Sequence, residues 1–128
     1  MQKESYDIDF ETRFYEGLIQ KKPDFIEALK LLGELYTKRG LYRQGLAIDE
    51  RLAHLQPQDP LIFYNLACSY SLLNDTDKAL RAIKRAFSYG YNNFDYLEQD
   101  QDLINLRNDG RFQRYFARIR PKVEHSKK

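Results

Sequence analysis

The sequence predicts an all-α protein, an α-solenoid of antiparallel helix hairpins. Two observations predict this fold: residue types recur at an interval of 34 positions, and apolar residues inside each copy follow helical spacing. The strongest correspondence pairs Leu29, Leu32, Gly33 and Tyr36 with Phe63, Leu66, Ala67 and Tyr70. A period of this length indicates tandem two-helix units that bury their apolar faces against one another. We therefore expect about six to eight helices.

The first complete unit is predicted over residues 24–57. Asp24 precedes the apolar run of its first helix and is the expected N-terminal cap, because a carboxylate accepts hydrogen bonds from free backbone amides. Gly40 is the expected stop, since glycine adopts left-handed backbone angles without steric cost. Gly45 lies on the packing side of the second helix, where the missing side chain lets two helix backbones approach closely.

The second complete unit is predicted over residues 58–91. Asp59 can cap its first helix, and Pro60 suits the first helical position because its missing amide proton has no partner there. A turn separates the two helices, and either Asp75 or Thr76 is expected to cap the second one. This unit therefore repeats the helix–turn–helix pattern of the first.

Half a unit is predicted before the two complete units, and an irregular helical cap is predicted after them. A helix over residues 10–22 is in phase with the second helix of each later unit, so the chain contains half a unit whose outer side has no neighbour. Beyond Gly90 the repeat pattern breaks, which favours an irregular helical cap over residues 92–120. Pro121 is expected to end the last helix, and the polar residues 121–128 are expected to fray.

Composition narrows the class of protein. A chain of 128 residues with a formal net charge of +2 favours a single domain over residues 1–128. The polar, acidic N-terminus lacks a secretory signal pattern, and no apolar run reaches the roughly 18 residues that cross a membrane. The single cysteine, Cys68, is typical of a reducing cytoplasm. With two histidines and one thiol we expect no metal site, and we expect no other cofactor.

The repeated residues resemble the tetratricopeptide-repeat family. The motifs that carry the resemblance are Leu29-x-x-Leu32-Gly33-x-x-Tyr36 and Phe63-x-x-Leu66-Ala67-x-x-Tyr70, the second followed by Ala79, Leu80, Ile83 and Ala86. The resemblance covers about residues 10–91, and residues 90–116 look like a segment that closes some bacterial tetratricopeptide proteins. Three positions depart from the family pattern. Asp49 replaces an apolar residue, Leu52 replaces a small alanine, and Tyr91 replaces a closing proline.

The resemblance implies a non-catalytic protein- or peptide-binding adaptor or scaffold, because first helices line a concave groove in this family. Carried onto this chain, the groove residues are Lys30, Glu34, Lys38, Leu61, Tyr64, Asn65, Cys68 and Leu72. The apolar members would supply contact area and the charged members would select the charge of the partner. Asn65 would pair with an extended peptide backbone, because a side-chain amide offers both a donor and an acceptor. For Cys68 the sequence favours a small packed residue over a reactive groove thiol, because no histidine or helix start lies near it in sequence.

Two other functions stay open at this point. Phe10 and Phe14 lie on the half-unit helix and could pack against a second copy of the chain, which would make a homo-oligomer. Alternatively, two basic stripes could hold phosphates, although the sequence favours nucleic-acid binding less because no RNA-binding aromatic motif accompanies them. The stripes consist of Lys78, Arg81 and Arg85, and of Arg111, Arg114 and Arg118.

Catalysis is not favoured. The sequence contains no glycine-rich phosphate loop, no nucleophile elbow and no zinc-binding histidine pair on a helix. The neighbouring carboxylates of Asp100 and Asp102 are interpreted as helix caps. We therefore expect a binding protein rather than an enzyme.

Overall fold

The computed structural model contains eight α-helices and one 3₁₀ turn, and no strand among residues 2–126, which are the residues that the structure describes, with side chains for residues 8–125. The helices are α1 (Gln2–Lys21), α2 (Ile26–Lys38), α3 (Tyr42–Leu55), α4 (Pro60–Leu72), α5 (Thr76–Ser88), α6 (Phe94–Gln99), α7 (Ile104–Arg107) and α8 (Gly110–Ser126). The 3₁₀ turn spans Gln101–Leu103, between α6 and α7. The predicted class, all-α with the hairpin packing of an α-solenoid, is confirmed.

The chain divides into two compact units, Met1–Pro57 and Gln58–Lys128. Their boundary coincides with the predicted junction between the two repeats. That the whole chain behaves as one domain stays a prediction. No helix within residues 2–126 combines the length and the apolar character that crossing a bilayer requires.

Unit 1 consists of α1, α2 and α3, with α2 packed against both of its neighbours. The packing of α2 on α3 depends on two glycines. A Cβ atom on Gly33 would lie 3.3 Å from Cγ2 of Ile48, and one on Gly45 would lie 3.2 Å from Oγ1 of Thr37. The close approach predicted at Gly45 is therefore confirmed, and a second glycine on the facing helix contributes to it.

Two predictions at the helix ends of unit 1 are wrong. Asp24 does not cap α2, because Asp24 lies in a turn that the Phe25 amide closes on the Lys22 carbonyl at 3.1 Å, and α2 begins only after Phe25. In addition, α1 begins at Gln2 rather than at residue 10. The early residues are polar, so they continue the helix without contributing to the apolar periodicity that located it.

Unit 2 begins with the hairpin of α4 and α5, and its predicted end signals are confirmed. The Asp59 carboxylate accepts hydrogen bonds from the first amides of α4, and Pro60 occupies the first helical position. Asp75, rather than Thr76, caps α5. Gly90 follows α5 with a φ of +112°, in the region that favours glycine.

The last helix of unit 2 corrects the predicted chain end. Pro121 lies inside α8, which continues to Ser126, so the prediction of a frayed segment is wrong as far as residue 126. Residues 127 and 128 lie outside the described residues. Proline removes one helical hydrogen bond. An ion pair of 3.2 Å between Arg120 and Glu124 bridges the turn around Pro121 and supports its continuation.

Aromatic residues hold α8 against the rest of unit 2. Phe94 packs edge-on against Phe87 at 5.3 Å and against Phe116 at 5.4 Å between ring centroids. Phe112 stacks on Phe116 at 5.2 Å and is buried. These contacts join α5, α6 and α8 into one core, since aromatic pairs at such distances contribute beyond their buried area.

Candidate functional site

Five of the eight predicted groove residues lie on α4, and the structure separates them into two groups. Leu61 is 55% exposed, Asn65 is exposed and Leu72 is half-buried. Tyr64 and Cys68 are buried, with exposed fractions of 2% and 7%. Only the first group is therefore accessible to a partner on this face of α4.

The chain itself covers the second group. Residues 91–107, which we call the covering segment, pack on α4 through the 3₁₀ turn and α7. The Tyr64 ring stacks on Tyr91 with 4.2 Å between ring centroids, and its hydroxyl donates a 2.7 Å hydrogen bond to Oδ2 of Asp100. The Cys68 thiol contacts the same oxygen at 3.7 Å. The prediction that Tyr64 offers apolar contact to a partner is wrong, because these contacts enclose it.

The covering segment is attached to α4 at a second place, Ser71, about one helical turn after Cys68. Its hydroxyl oxygen accepts a 3.1 Å hydrogen bond from the amide of Leu106, and its carbonyl oxygen accepts a 2.8 Å bond from Nδ2 of Asn105. Ser71 and Leu106 are both fully buried. Buried polar groups need partners, so these two bonds fix the register of the covering segment on α4.

Arg107 forms hydrogen bonds within the covering segment. One guanidinium nitrogen donates to the carbonyl oxygens of Leu97 and Asp100, the first at 2.8 Å. Both carbonyls also accept a backbone amide, Leu97 from Asp100 at 3.4 Å and Asp100 from Leu103 at 3.1 Å, so the guanidinium adds a second donor to each of them. Leu97 and Leu103 beneath them are fully buried. The segment is therefore a folded element with its own core.

Asp100 is the polar centre of this contact. Its Oδ1 accepts a 3.0 Å hydrogen bond from the amide of Asp102, which confirms the prediction that Asp100 caps a helical turn. Burial, together with the hydrogen bond to Asp100, raises the pKa of Tyr64 far above its usual range. Burial also raises the pKa of Tyr91 to about 12. The phenols consequently stay protonated and able to donate across the physiological pH range.

Asp102 has a different environment. Burial, and then the negative charge of Asp100, raises the pKa of Asp102. The ligand atoms of Cys68, Asp100 and Asp102 lie within 4.8 Å of one another, a distance that would allow them to share a metal ion. However, both oxygens of Asp100 already accept hydrogen bonds, one of them from Tyr64, so hydrogen bonding and capping account for Asp100. The interpretation of Asp102 as a helix cap is wrong, because Asp102 lies inside the 3₁₀ turn and α7 follows Leu103 without a side-chain cap.

The other three predicted groove residues lie on α2 in unit 1. Lys30, Glu34 and Lys38 follow one another at intervals of four and so share one face of the helix. Lys30 is half-buried, and the other two are exposed. None of the three forms an ion pair within the described part of the chain. That they line one groove together with the α4 residues stays a prediction.

Sequence reasoning missed Tyr96 on α6, which is 56% exposed. Its ring lies 6.1 Å from that of Tyr64, so Tyr96 borders α4 at the level where Leu61 and Asn65 are exposed. One feature of the sequence indicated the contact between the covering segment and α4. Tyr91 replaces the closing proline of the family pattern, and this departure marks the residue that stacks on Tyr64.

Comparisons with known proteins give partial matches. No protein-family model matches the sequence. A chloroplastic protein from Arabidopsis thaliana is 32% identical over 95 residues, which are 72% of this chain and 27% of that protein. Protein CTR9 homolog from the same plant is 35% identical over 72 residues, 56% of this chain and 6% of that protein. The chain thus spans about a quarter of the first relative and a small part of the second. Both relatives are plant proteins, and neither supports the bacterial cap.

Proposed function

We propose that this chain is a non-catalytic module that binds a protein or peptide partner. The observation that carries the proposal is the exposure of Leu61 and Asn65 on α4, a helix against which the covering segment packs from a neighbouring side. The similarity to the CTR9 homolog, which contains tetratricopeptide repeats, supports a helical repeat of the protein-interaction type. The absence of catalytic motifs from the sequence supports a role in binding.

The partner would contact what we call the α4–α6 rim, formed by Leu61, Asn65 and Tyr96. Leu61 and Tyr96 offer apolar area, and the Asn65 amide offers a donor and an acceptor to an extended peptide backbone. Because Tyr64 is buried, we assign to Tyr96 the aromatic contact with a partner that the sequence predicted for Tyr64. Because the Asp100 hydrogen bond already fixes Tyr64 beneath this rim, binding requires little reorganisation, and preorganisation of this kind favours affinity.

The exposed side chains of α2 would contribute charge selection. Lys30, Glu34 and Lys38 alternate in sign along one helix face. A partner with the complementary pattern would be favoured, and one with like charges opposed to them would be disfavoured. This part of the proposal is tested separately, by reversing the charge of Glu34 and measuring which partners are lost.

Affinity capture from the native cell extract, identified by mass spectrometry, tests the α4–α6 rim. The test variant combines Leu61→Ala with Asn65→Ala. The control variant combines Ile104→Ala with Asn108→Ala, which removes the same kinds of exposed side chain elsewhere in unit 2. We expect the wild type and the control to recover a partner that the test variant loses, with helicity and melting temperature unchanged. Equal recovery by all three proteins would contradict the proposal.

Self-assembly is the second candidate function, and the exposure of two phenylalanines on α1 favours it. Phe10 is 59% exposed and Phe14 is 54% exposed, although large aromatic side chains are usually covered in a monomer. Sedimentation velocity over a concentration series would detect association. We expect Phe10→Ser with Phe14→Ser to abolish it and Leu31→Ser, at another exposed apolar position of unit 1, to preserve it. A wild type that stays monomeric at high concentration rules out this function.

A further inference from the structure

Unit 2 carries a basic surface on the outer sides of α5 and α8. We call it the basic face, and its six members, all exposed, are Lys78, Arg81, Lys84, Arg85, Arg114 and Arg118. None of the six forms an ion pair with another described residue. Asp77 borders this surface but pairs with Arg111, so the six cations repel one another, and this repulsion favours the binding of a negatively charged partner.

Contacts between α5 and α8 join the two sequence stripes into one surface. The Lys84 ammonium lies 4.8 Å from the centroid of the Tyr115 ring, and that ring stacks on Phe87 at 6.0 Å. Further towards the start of both helices, Arg111 pairs with Asp77 at 2.6 Å. Arg111 lies about one turn before Tyr115 and Arg118 about one turn after it, and Arg114 lies one turn from both arginines. Arg114 and Arg118 therefore lie beside the basic residues of α5.

Several members of the basic face are held in place by aromatic rings. The Lys78 ammonium lies 5.8 Å from the centroid of Tyr70, and the Arg85 guanidinium lies 5.4 Å from that of Phe63. Cation–π contacts restrict long side chains while their charged groups keep access to solvent. Binding would consequently cost less side-chain entropy than it would for freely rotating lysines and arginines.

Neighbouring arginines show which anion this part of the surface accommodates. The Arg111 guanidinium binds the Asp109 carboxylate through two nitrogens, at 2.8 and 3.1 Å, in addition to Asp77. On the same helix, Arg120 binds Asp95 at 2.8 Å and also pairs with Glu98. The chain's own carboxylates thus pair with Arg111 and Arg120, whereas none of the six cations of the basic face forms an ion pair with a described residue.

We propose that the basic face binds an acidic segment of a partner protein, rich in aspartate or glutamate. The 13 residues of α5 give a surface about 20 Å long, which an extended peptide of about six to eight residues would span. Single-stranded nucleic acid fits less well, because stacking of its bases needs an accessible ring, and Tyr115 already packs against Phe87 and Lys84. This surface is separate from the α4–α6 rim and can be tested independently of it.

Fluorescence anisotropy with three labelled probes tests the basic face. The probes are a peptide of alternating glutamate and serine about eight residues long, its glutamine counterpart, and a single-stranded oligonucleotide of equal charge. The test variant combines Arg81→Glu with Arg118→Glu. The control combines Arg13→Glu with Arg43→Glu, which changes the net charge equally at exposed positions of unit 1. Arg81→Gln with Arg118→Gln replaces the test variant if charge reversal impairs folding.

We expect the wild type and the control to bind the glutamate peptide, and the test variant to bind it at least about tenfold more weakly. Binding should weaken with added salt, and the glutamine peptide should not bind. Equal weakening in the test and control variants would show a response to net charge alone and overturn the proposal. Tighter binding of the oligonucleotide, lost in the test variant, would instead assign the face to nucleic acid. A wild type that binds none of the probes at low salt would also overturn it.

Discussion

The hydroxyl of Tyr64 donates a 2.7 Å hydrogen bond to Oδ2 of Asp100, 36 positions later in the chain. This bond connects the first helix of the second repeat to the non-repetitive segment that follows it. Because Tyr64 is almost fully buried, its hydroxyl has little access to water as an alternative partner. It therefore decides which part of α4 is closed to partners and which part stays accessible.

Removal of this hydrogen bond should destabilise unit 2. In Tyr64→Phe the ring stays packed against Tyr91 while the Asp100 carboxylate loses a donor, so we expect the free energy of unfolding to fall by about 1–2 kcal/mol. Urea denaturation followed by circular dichroism measures the change. Tyr89→Phe is the matched control, and it should leave the stability within about 0.5 kcal/mol of the wild type. A Tyr64→Phe protein as stable as that control would contradict this role of the bond.

The single thiol reports opening of the covering segment. Cys68 is 7% exposed beneath that segment, so a thiol reagent reaches it only when the segment lifts from α4. We expect slow modification of the native protein by Ellman's reagent. Modification should be about 5- to 30-fold faster in Tyr64→Phe, matching a loss of about 1–2 kcal/mol. Native protein that reacts as fast as urea-unfolded protein would show that the segment does not protect Cys68.

Two glycines of unit 1 should respond in opposite ways to alanine. A Cβ atom added to Gly17 would have no atom within 4 Å, so Gly17→Ala should stabilise the protein by about 0.5–1 kcal/mol through helix propensity. In Gly33→Ala the new atom meets Cγ2 of Ile48 at 3.3 Å, and this buried β-branched side chain has little freedom to move. We expect a loss of about 1 kcal/mol in urea denaturation. Equal stabilisation by both substitutions would refute the tight contact between α2 and α3.

Replacement of Asp102 should stabilise unit 2 at neutral pH. Burial and the nearby Asp100 carboxylate raise the pKa of Asp102, which means that its charged form is less favourable in the folded state than in the unfolded state. Asp102→Asn removes that charge, so the free energy of unfolding should rise at neutral pH. The difference should disappear as the pH falls through the pKa and Asp102 becomes neutral by itself.

Asp109→Asn is the control, and we expect it to lower the free energy of unfolding at neutral pH rather than raise it. Hydrogen bonds from Arg111 lower the pKa of Asp109, so its charge favours the folded state at neutral pH. Loss of stability in Asp102→Asn at neutral pH, or a difference that grows in acid, would show that Asp102 is not destabilising when charged.

Alkaline pH should unfold the protein through its tyrosines. Burial raises the pKa of Tyr91 from 10.0 to about 12, and burial together with a hydrogen bond to Glu16 raises that of Tyr36 equally. The unfolded state releases these protons first, so their contribution to stability is complete below about pH 10 and disappears towards about pH 12. Each should add a slope of about 1.4 kcal/mol per pH unit to the fall in unfolding free energy. Tyr91→Phe should reduce the measured slope, and an unchanged slope would contradict the assignment.

Local signals in the sequence predicted the repeat hairpins correctly. The period of 34 residues located them, and the end residues Asp59, Asp75 and Gly90 act within one turn of their own positions. Such signals need only neighbouring residues, so a single sequence contains them. The misplaced cap at Asp24 shows where they become ambiguous, because a carboxylate near a proline suits a turn as well as a helix start.

The accessibility of the predicted site could not be derived in this way. Position along α4 predicted that Tyr64 lies with Leu61 on the side expected to meet a partner. Whether a residue on that side is exposed depends on the chain beyond Gly90, where neither helical nor repeat periodicity applies. The partners of Tyr64 and Ser71 are 27 to 36 positions away in sequence, and helical spacing contains no information about them.

The way the covering segment attaches to the second repeat also bears on how the protein could gain further repeats in evolution. Its attachment points, Tyr64, Cys68 and Ser71, all belong to the second repeat rather than to the segment itself. An in-frame duplication of the second repeat, residues 58–91, would therefore copy the attachment points along with the hairpin. The same ending could then close the new last repeat, so that evolution could add repeats without inventing another terminus.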